Sequence, residues 1–373
     1  MKNFEELGVG SKFVLGLNDL NIITPTEIQN KVIPILINSN TDLVGQAQTG
    51  TGKTAAYGLP LLHKVDSGQN KIQGLILCPT RELGQQIAKQ LFKFTKYSSK
   101  IFAEAVYGGA PIERQLGALK KPTHIVVATP GRLIDLLKRE ALSLAHVKTV
   151  ILDEADEMLS MGFKDELDEI LRHTSTAENK WLFSATMPVG IRQIVTRHLA
   201  ANAVRIEVNE KNVINKNIDH QYLIVEESDK LHALLQFLRS ERGNRGVVFC
   251  RTKVAAQKLA LQLEAKNIKV GAIHGDLMQK ERDKVMRAFK NESSQILVAT
   301  DLAARGLDIE ALSFVVHYQL PDKDEYYTHR SGRTARAGKK GVSLSLVTPF
   351  ETKQIRVYEK SLHISFSQIT QGN

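Results

Sequence analysis

The stretch AQTGTGKT, residues 47–54, sets glycines, a lysine and a hydroxyl in an order that suits phosphate oxygens. It follows a short apolar strand, 42–45, and opens a helical run, the context in which this spelling makes a phosphate-binding loop. Gly50 and Gly52 let backbone N–H groups turn inward, Lys53 supplies a point charge for the outer phosphates, and the Thr54 hydroxyl suits Mg²⁺. Ala47 stands where such loops usually begin with glycine, and it is small enough to serve; Gln48, Thr49 and Thr51 complete the nucleotide-binding loop. A second stretch, VILDEAD (150–156), supplies carboxylates at a strand end. Taken alone they would only charge the N-terminus of the next helix. Beside a phosphate loop, Asp153 reads as a holder of Mg²⁺ through water, opposite Thr54, and Glu154 as the base that orients and deprotonates an attacking water. The third stretch, HRSGRTARAG (329–338), repeats arginine every third residue with no Asp or Glu among them. Both a solvated basic face and a phosphate clamp fit it.

These loops need a scaffold to hold them, and the apolar runs provide one. Ten recur along the chain: DLVGQA, GLILCPT, HIVVATP, TVILDEA and KWLFSAT, then GVVFCRT, KVGAIHGD, QILVATD, FVVHYQL and GVSLSLV. Between them lie stretches such as RELGQQIAKQLFKFTKY, with apolar residues at helical spacing. Strands apolar on both faces and alternating with helices predict parallel sheets covered on both sides. A length of 373 residues favours two such α/β domains, and the polar stretch RIEVNEKNVINKNIDH (205–220) is the candidate linker between them. Nearly every run ends in small or polar residues, which places a site outside the carboxyl ends of both sheets.

Bulk properties narrow the partners. The net charge is +10; residues 1–210 carry 24 Lys/Arg against 22 Asp/Glu (+2), and residues 211–373 carry 26 against 18 (+8). That excess points toward a polyanion. Cys78 and Cys250 each close an apolar run and read as buried thiols of a reduced, cytoplasmic protein. No run of 18 apolar residues exists to span a membrane, and the first residues lack the apolar core of a secretory signal.

Base recognition has a candidate in TPTEIQ (24–29). Thr24 predicts a helix N-cap, with Pro25 at the first helical position and Glu27 closing a capping box. Gln29 is left over, and its amide suits the N6/N7 edge of adenine, with Phe4 available to stack on the base.

Together these motifs resemble the DEAD-box ATP-dependent RNA helicases of superfamily 2, in their bacterial form, from Phe4 to about Val347. The resemblance implies two tandem RecA-like domains, residues 1–207 and 219–373, joined by a linker at 208–218, with ATP and Mg²⁺ as cofactors. It assigns adenine to Phe4 and Gln29, phosphate and metal to Lys53, Thr54 and Asp153, and the attacking water to Glu154. Asp156, Ser184 and Thr186 would link ATP state to closure, with His329 and Arg330 tying the second domain to the first-domain carboxylates. Arg333 and Arg336 would be arginine fingers, and Asp308 would bind the ribose. RNA would lie on Pro79, Thr80, Arg81, Gly108, Gly109, Thr129, Gly131 and Arg132 in the first domain. In the second it would meet Gly275, Gln279, Arg282, Thr300, Asp301 and Arg305. Such residues suit backbone contact, which fixes register without reading sequence. The family has glycine where this chain has Asn21 and Ala335. Asn tolerates a left-handed turn, whereas Ala there would cost about 1 kcal/mol. A DNA-acting helicase of the same superfamily and an ATP-gated RNA clamp with little unwinding are the alternative functions.

Overall fold

All ten apolar runs form strands, and they do so in two sheets of the same topology. The protein is represented by a computed structural model that describes residues 2–48, 50–208, 217–304, 309, 312–322, 324–335 and 340–370. The chain divides into two units, Met1–Asn209 and Glu210–Asn373. In the first, β1 (Leu43–Gln46), β2 (Gly74–Leu77), β3 (Ala103–Val106), β4 (Ile125–Ala128), β5 (Thr149–Leu152), β6 (Asn179–Ser184) and β7 (Val204–Glu207) take the order β3-β4-β2-β5-β6-β1-β7. In the second, β8 (Ile218–Ile224), β9 (Gly246–Cys250), β10 (Val270–Ile273), β11 (Ile296–Thr300), β12 (Phe314–His317), β13 (Gly341–Val347) and β14 (Ser367–Gln368) take the order β10-β11-β9-β12-β13-β8-β14. Every pairing is parallel. These are the two RecA-like α/β units the sequence implies.

Alternation along the central strands feeds two cores per sheet, because successive side chains point to opposite faces. Val150 and Leu152 of β5 enter one core and Ile151 the other; Val247 and Phe249 of β9 part in the same way from Val248 and Cys250. The repeat extends to single residues. Thr80 and Thr252 follow equivalent strands, and each hydroxyl caps the next helix, accepting from Leu83 N–H at 3.3 Å and Ala255 N–H at 3.1 Å. Cys78 and Cys250 are buried thiols. The polar stretch read as linker is strand at both ends, in β7 and the start of β8. β7 is an edge strand with alternate residues exposed, so it needs no continuous apolar run. Among the described residues no helix is long and apolar enough to cross a membrane.

The second unit carries a buried polar layer. His220 Nδ1 lies 2.7 Å from Tyr327 Oη, Tyr327 stacks on His317 at 4.5 Å, and Ser331, Ser343 and His317 hydrogen-bond beneath them. Burial pushes the His220 imidazole down to about 4, against the charge of Asp219, and depresses His317 as well. The unfolded chain therefore takes up these protons near pH 6.5, before the folded chain can. Stability present above pH 6.5 falls as the pH drops toward 4, by roughly 3 kcal/mol for His220. Urea unfolding followed by circular dichroism from pH 7 to 4.5 should show this loss, and His220→Asn should flatten it. An unchanged pH profile in that variant would remove His220 as its source.

Candidate active site

The phosphate loop is anchored from three sides. Ala47 N–H donates to Ser184 O at 3.0 Å, bonding the loop to the end of β6. The Thr26 hydroxyl donates to Thr51 O at 2.8 Å, and Gln29 Nε2 donates to Gly52 O at 3.0 Å. Gly50 and Gly52 have φ of 85° and 87°, the left-handed region that favours glycine. A Cβ on Gly52 would stand 2.3 Å from Gln29 Nε2, so only glycine lets the amide approach. The Thr51 hydroxyl donates to Gln48 O at 2.8 Å. Lys53 opens the helix Lys53–Lys64, and its buried ammonium donates to Ala47 O at 3.0 Å, lying over the loop where phosphate oxygens would compete for it. Thr49 lies outside the described residues.

Two expectations around the base change. The N-cap of the helix Glu27–Asn38 is Thr26, not Thr24, and Gln29 Oε1 closes the box by accepting from Thr26 N–H at 2.9 Å. Gln29, 3% exposed, thus has structural work at both ends of its amide. One N–H and one lone pair remain for a ligand. Phe4 is 2% exposed and packed in the first core, so its ring has no face to offer a base.

The carboxylates sit on the adjoining strand ends. Asp153, 3% exposed, accepts from Glu154 N–H at 3.0 Å through Oδ1 and from the Tyr57 hydroxyl at 2.8 Å through Oδ2. Burial raises its affinity for a proton, opposed by the Lys53 charge and the Tyr57 hydrogen bond. Burial, then the Asp153 charge, pushes the Tyr57 phenol well above its ordinary range, so it stays a donor. Thr54 lies in the first turn of the helix that carries Tyr57, and Asp153 accepts from that phenol. Their hydroxyl and carboxylate fit Mg²⁺, which uses one or two such groups beside phosphates and waters. No cluster of three His, Cys, Asp or Glu among the described residues could hold a metal by itself. Glu154 is half-buried with φ 52° and ψ 50°, a left-handed conformation strained for glutamate. Asp156 Oδ2 accepts from both Thr186 N–H (2.8 Å) and the Thr186 hydroxyl (2.9 Å). Ser184 closes the group, donating to Thr186 O at 2.7 Å and accepting from Asp156 N–H at 3.3 Å.

The remaining residues of the first unit gather after β2, β3 and β4, which are neighbours in the sheet. Pro79 is buried, and Thr80 is the N-cap noted above. Arg81 Nε pairs with Glu82 at 2.9 Å, and its Nη1 would lie 3.1 Å from a Cβ on Gly109, whose φ is 78°. Arg132 Nη2 donates to Ala110 O at 3.1 Å, while its Nη1 is buried without a hydrogen-bond partner. Thr129 is an N-cap whose hydroxyl makes no cap bond. Open space faces Gly108 and Gly131.

In the second unit the equivalent strand ends follow β10 and β11. Gly275 faces open space, Thr300 ends β11, and Gln279 Nε2 donates to Asp283 at 2.6 Å. Arg282 Nη2 donates to Ala303 O at 3.1 Å, joining two of these segments. Arg330 and Asp301 pair with each other. Arg330 is 1% exposed, and its Nε and Nη2 grip both Asp301 oxygens at 2.6 Å while Nη1 donates to Gln319 O at 2.8 Å. A buried guanidinium needs a carboxylate beside it, and Arg330 finds one inside the unit in Asp301. His329 and Arg333 line a small pocket over this pair, with Tyr326, Ala304 and Phe249. Ala335 is buried at φ 56°, the conformation its place in the motif implied, and Asn21 has φ 56° as well. Arg305, Asp308 and Arg336 lie outside the described residues.

Sequence reasoning missed Tyr57, although it stands one helical turn after Lys53, a spacing that puts both on one face. It also missed the bond from Thr26 to the loop.

In sequence and fold the chain is similar to known helicases. The family description DEAD/DEAH box helicase matches residues 26–194, and Helicase conserved C-terminal domain matches residues 229–338. The ATP-dependent RNA helicase CshA of Listeria monocytogenes is 43% identical over 362 residues, 97% of this chain and 69% of that protein. Among solved structures, S. cerevisiae Dbp5 bound to RNA and ADP BeF3 is similar with a TM-score of 0.90 and 30% identity, over 99% of this chain and 96% of that one. Mss116p bound to ssRNA and AMP-PNP is similar with a TM-score of 0.88 and 27% identity, over 100% of this chain and 80% of that one.

Proposed function

The chain belongs to the DEAD/DEAH box helicase family and is an ATP-dependent RNA helicase; we propose that RNA gates its ATP hydrolysis by drawing the two units together around both ligands. The observation that carries this reading is the edge of the first sheet where Lys53, Asp153 and Glu154 meet the Asp156–Ser184–Thr186 hydrogen bonds. Phosphates would draw Lys53 off Ala47 O and take the loop N–H groups. Thr54 and Asp153 would hold Mg²⁺, which when bound offsets charge on the phosphates. Glu154 orients the attacking water and takes its proton. Arg333, with Arg336, stabilises the charge that builds on the transferred phosphoryl group, and Asp308 takes the ribose.

RNA binds the strand ends of each unit, at Pro79, Thr80, Arg81, Gly109, Thr129, Gly131 and Arg132 and at Gly275, Gln279, Arg282, Thr300 and Arg305. The open space before Gly131 and Gly275 and the unpartnered Arg132 Nη1 support approach of a sugar-phosphate backbone. ATP and RNA each favour the closed form, so each strengthens the other's binding by the same factor. Closure then strains a short duplex locally or displaces a bound protein.

Steady-state ATP hydrolysis without polymer, with single-stranded RNA and with single-stranded DNA of equal length tests the reading. RNA alone should stimulate strongly. Equal stimulation by DNA would transfer the function to the DNA-acting alternative, and stimulation by neither would end the gating proposal.

A further inference from the structure

We propose that Tyr57 is a positioning residue that holds the Asp153 carboxylate ready for the metal–nucleotide complex. The inference rests on the reading of Asp153 as the metal-side carboxylate. Tyr57 is fully buried, with its ring tilted against Phe183 at 5.3 Å between centroids. Phenylalanine would fill that volume equally well, so packing alone does not call for the hydroxyl. A buried phenol needs a polar partner, and this one donates to Asp153 Oδ2 at 2.8 Å.

The arrangement leaves the carboxylate usable. An ionised carboxylate offers about four lone-pair sites on its two oxygens. The protein takes one on each, through Tyr57 on Oδ2 and Glu154 N–H on Oδ1. One site on each oxygen remains for metal-bound water, and the two protein donors fix the plane in which those sites lie. Tyr57 also grows from the helix that begins with Lys53 and Thr54. Its hydroxyl therefore ties the end of β5 to the phosphate loop's own helix, keeping the carboxylate in register with the Thr54 hydroxyl. Partners of this kind behind a metal ligand change metal affinity by about 10–100-fold when removed.

The test is Tyr57→Phe in the whole chain, which deletes one oxygen and keeps the ring. Binding of a fluorescent non-hydrolysable ATP analogue is titrated at graded Mg²⁺ and in EDTA, alongside thermal unfolding. The half-saturating Mg²⁺ concentration should rise about 10-fold, with binding in EDTA unmoved and the protein still folded at the assay temperature. Unchanged Mg²⁺ dependence, or equal weakening with and without the metal, would overturn the proposal. Asp153→Asn separates this from the reading beneath it. That variant should itself raise the Mg²⁺ requirement, and adding Tyr57→Phe to it should change nothing further. If Asp153→Asn leaves the Mg²⁺ requirement alone, the metal reading of Asp153 falls. If it raises the requirement while Tyr57→Phe does not, only the role of Tyr57 falls.

Discussion

Glu154→Gln should leave ATP and RNA binding within about twofold of the parent and lower RNA-stimulated turnover by about 10²–10⁴-fold. Glutamine keeps the shape of the side chain and an acceptor oxygen, but it cannot take a proton from water. The environment of Glu154 makes the substitution a clean one. Its backbone is held left-handed between β5 and the helix Ala155–Ser160, and its N–H is fixed on Asp153 Oδ1. The amide variant inherits that geometry, so lost turnover reports lost proton transfer and not a moved loop. Binding of a labelled RNA with a non-hydrolysable analogue, measured beside hydrolysis, separates the two. Turnover within tenfold of the parent would remove Glu154 from the role of base. A matching fall in ATP affinity would instead make it a structural carboxylate of the loop.

The strained conformation of Glu154 was not legible in the sequence, whereas its place at the end of a buried strand was. The same division holds across the molecule. Residues at the carboxyl ends of buried parallel strands announce themselves because an apolar run stops abruptly at Gly, Thr, Asp or Arg. Ten strands were readable on that ground. The other four, β3, β7, β8 and β14, include both edge strands of the first sheet and one of the second, where one side is exposed and no apolar run is required. The helix start at 24–29 went astray because two threonines spaced by two residues each have Glu or Gln three positions on, so either box fits the spelling. Tertiary contact decides between them, since the Thr26 hydroxyl and Gln29 amide both bond to the phosphate loop. The burial of Phe4 was not legible for a related reason. An aromatic residue near a base-binding motif serves as well to close the core beneath it, and its position in sequence does not distinguish the two. Asp301 and Arg330 lie 29 residues apart, as Tyr57 and Asp153 lie 96 apart. Buried polar pairs of this separation leave no local signature. Ala335 was legible because its requirement is local: the motif needs φ above zero there, and the chain supplies it at a cost of about 1 kcal/mol.

That cost is spent next to the residue with the largest expected effect on rate. Arg333→Ala should lower RNA-stimulated hydrolysis by about 10³–10⁵-fold, with ATP affinity changed only a few-fold. The backbone around Arg333 is a hydrogen-bonded turn. Arg333 N–H donates to Arg330 O at 3.1 Å, and Leu312 N–H donates to Arg333 O at 3.3 Å. The Thr334 hydroxyl bonds Leu312 O, and Ala335 then turns left-handed. Beneath them Arg330 is locked onto Asp301. Arg333 is therefore a half-buried arginine carried by a hydrogen-bonded turn, which supports the finger role proposed for it. Arg333→Lys should recover little, because an ammonium lacks the planar fork that meets two phosphoryl oxygens. Thermal unfolding should be nearly unaffected by Arg333→Ala, in contrast to removal of the buried Arg330, which would leave the half-buried Asp301 without its cation. Single-turnover hydrolysis at saturating ATP and RNA reads the chemical step directly. A variant that hydrolyses bound ATP at the parent rate and merely binds it more weakly would assign Arg333 to nucleotide capture and leave the transition state without its cation.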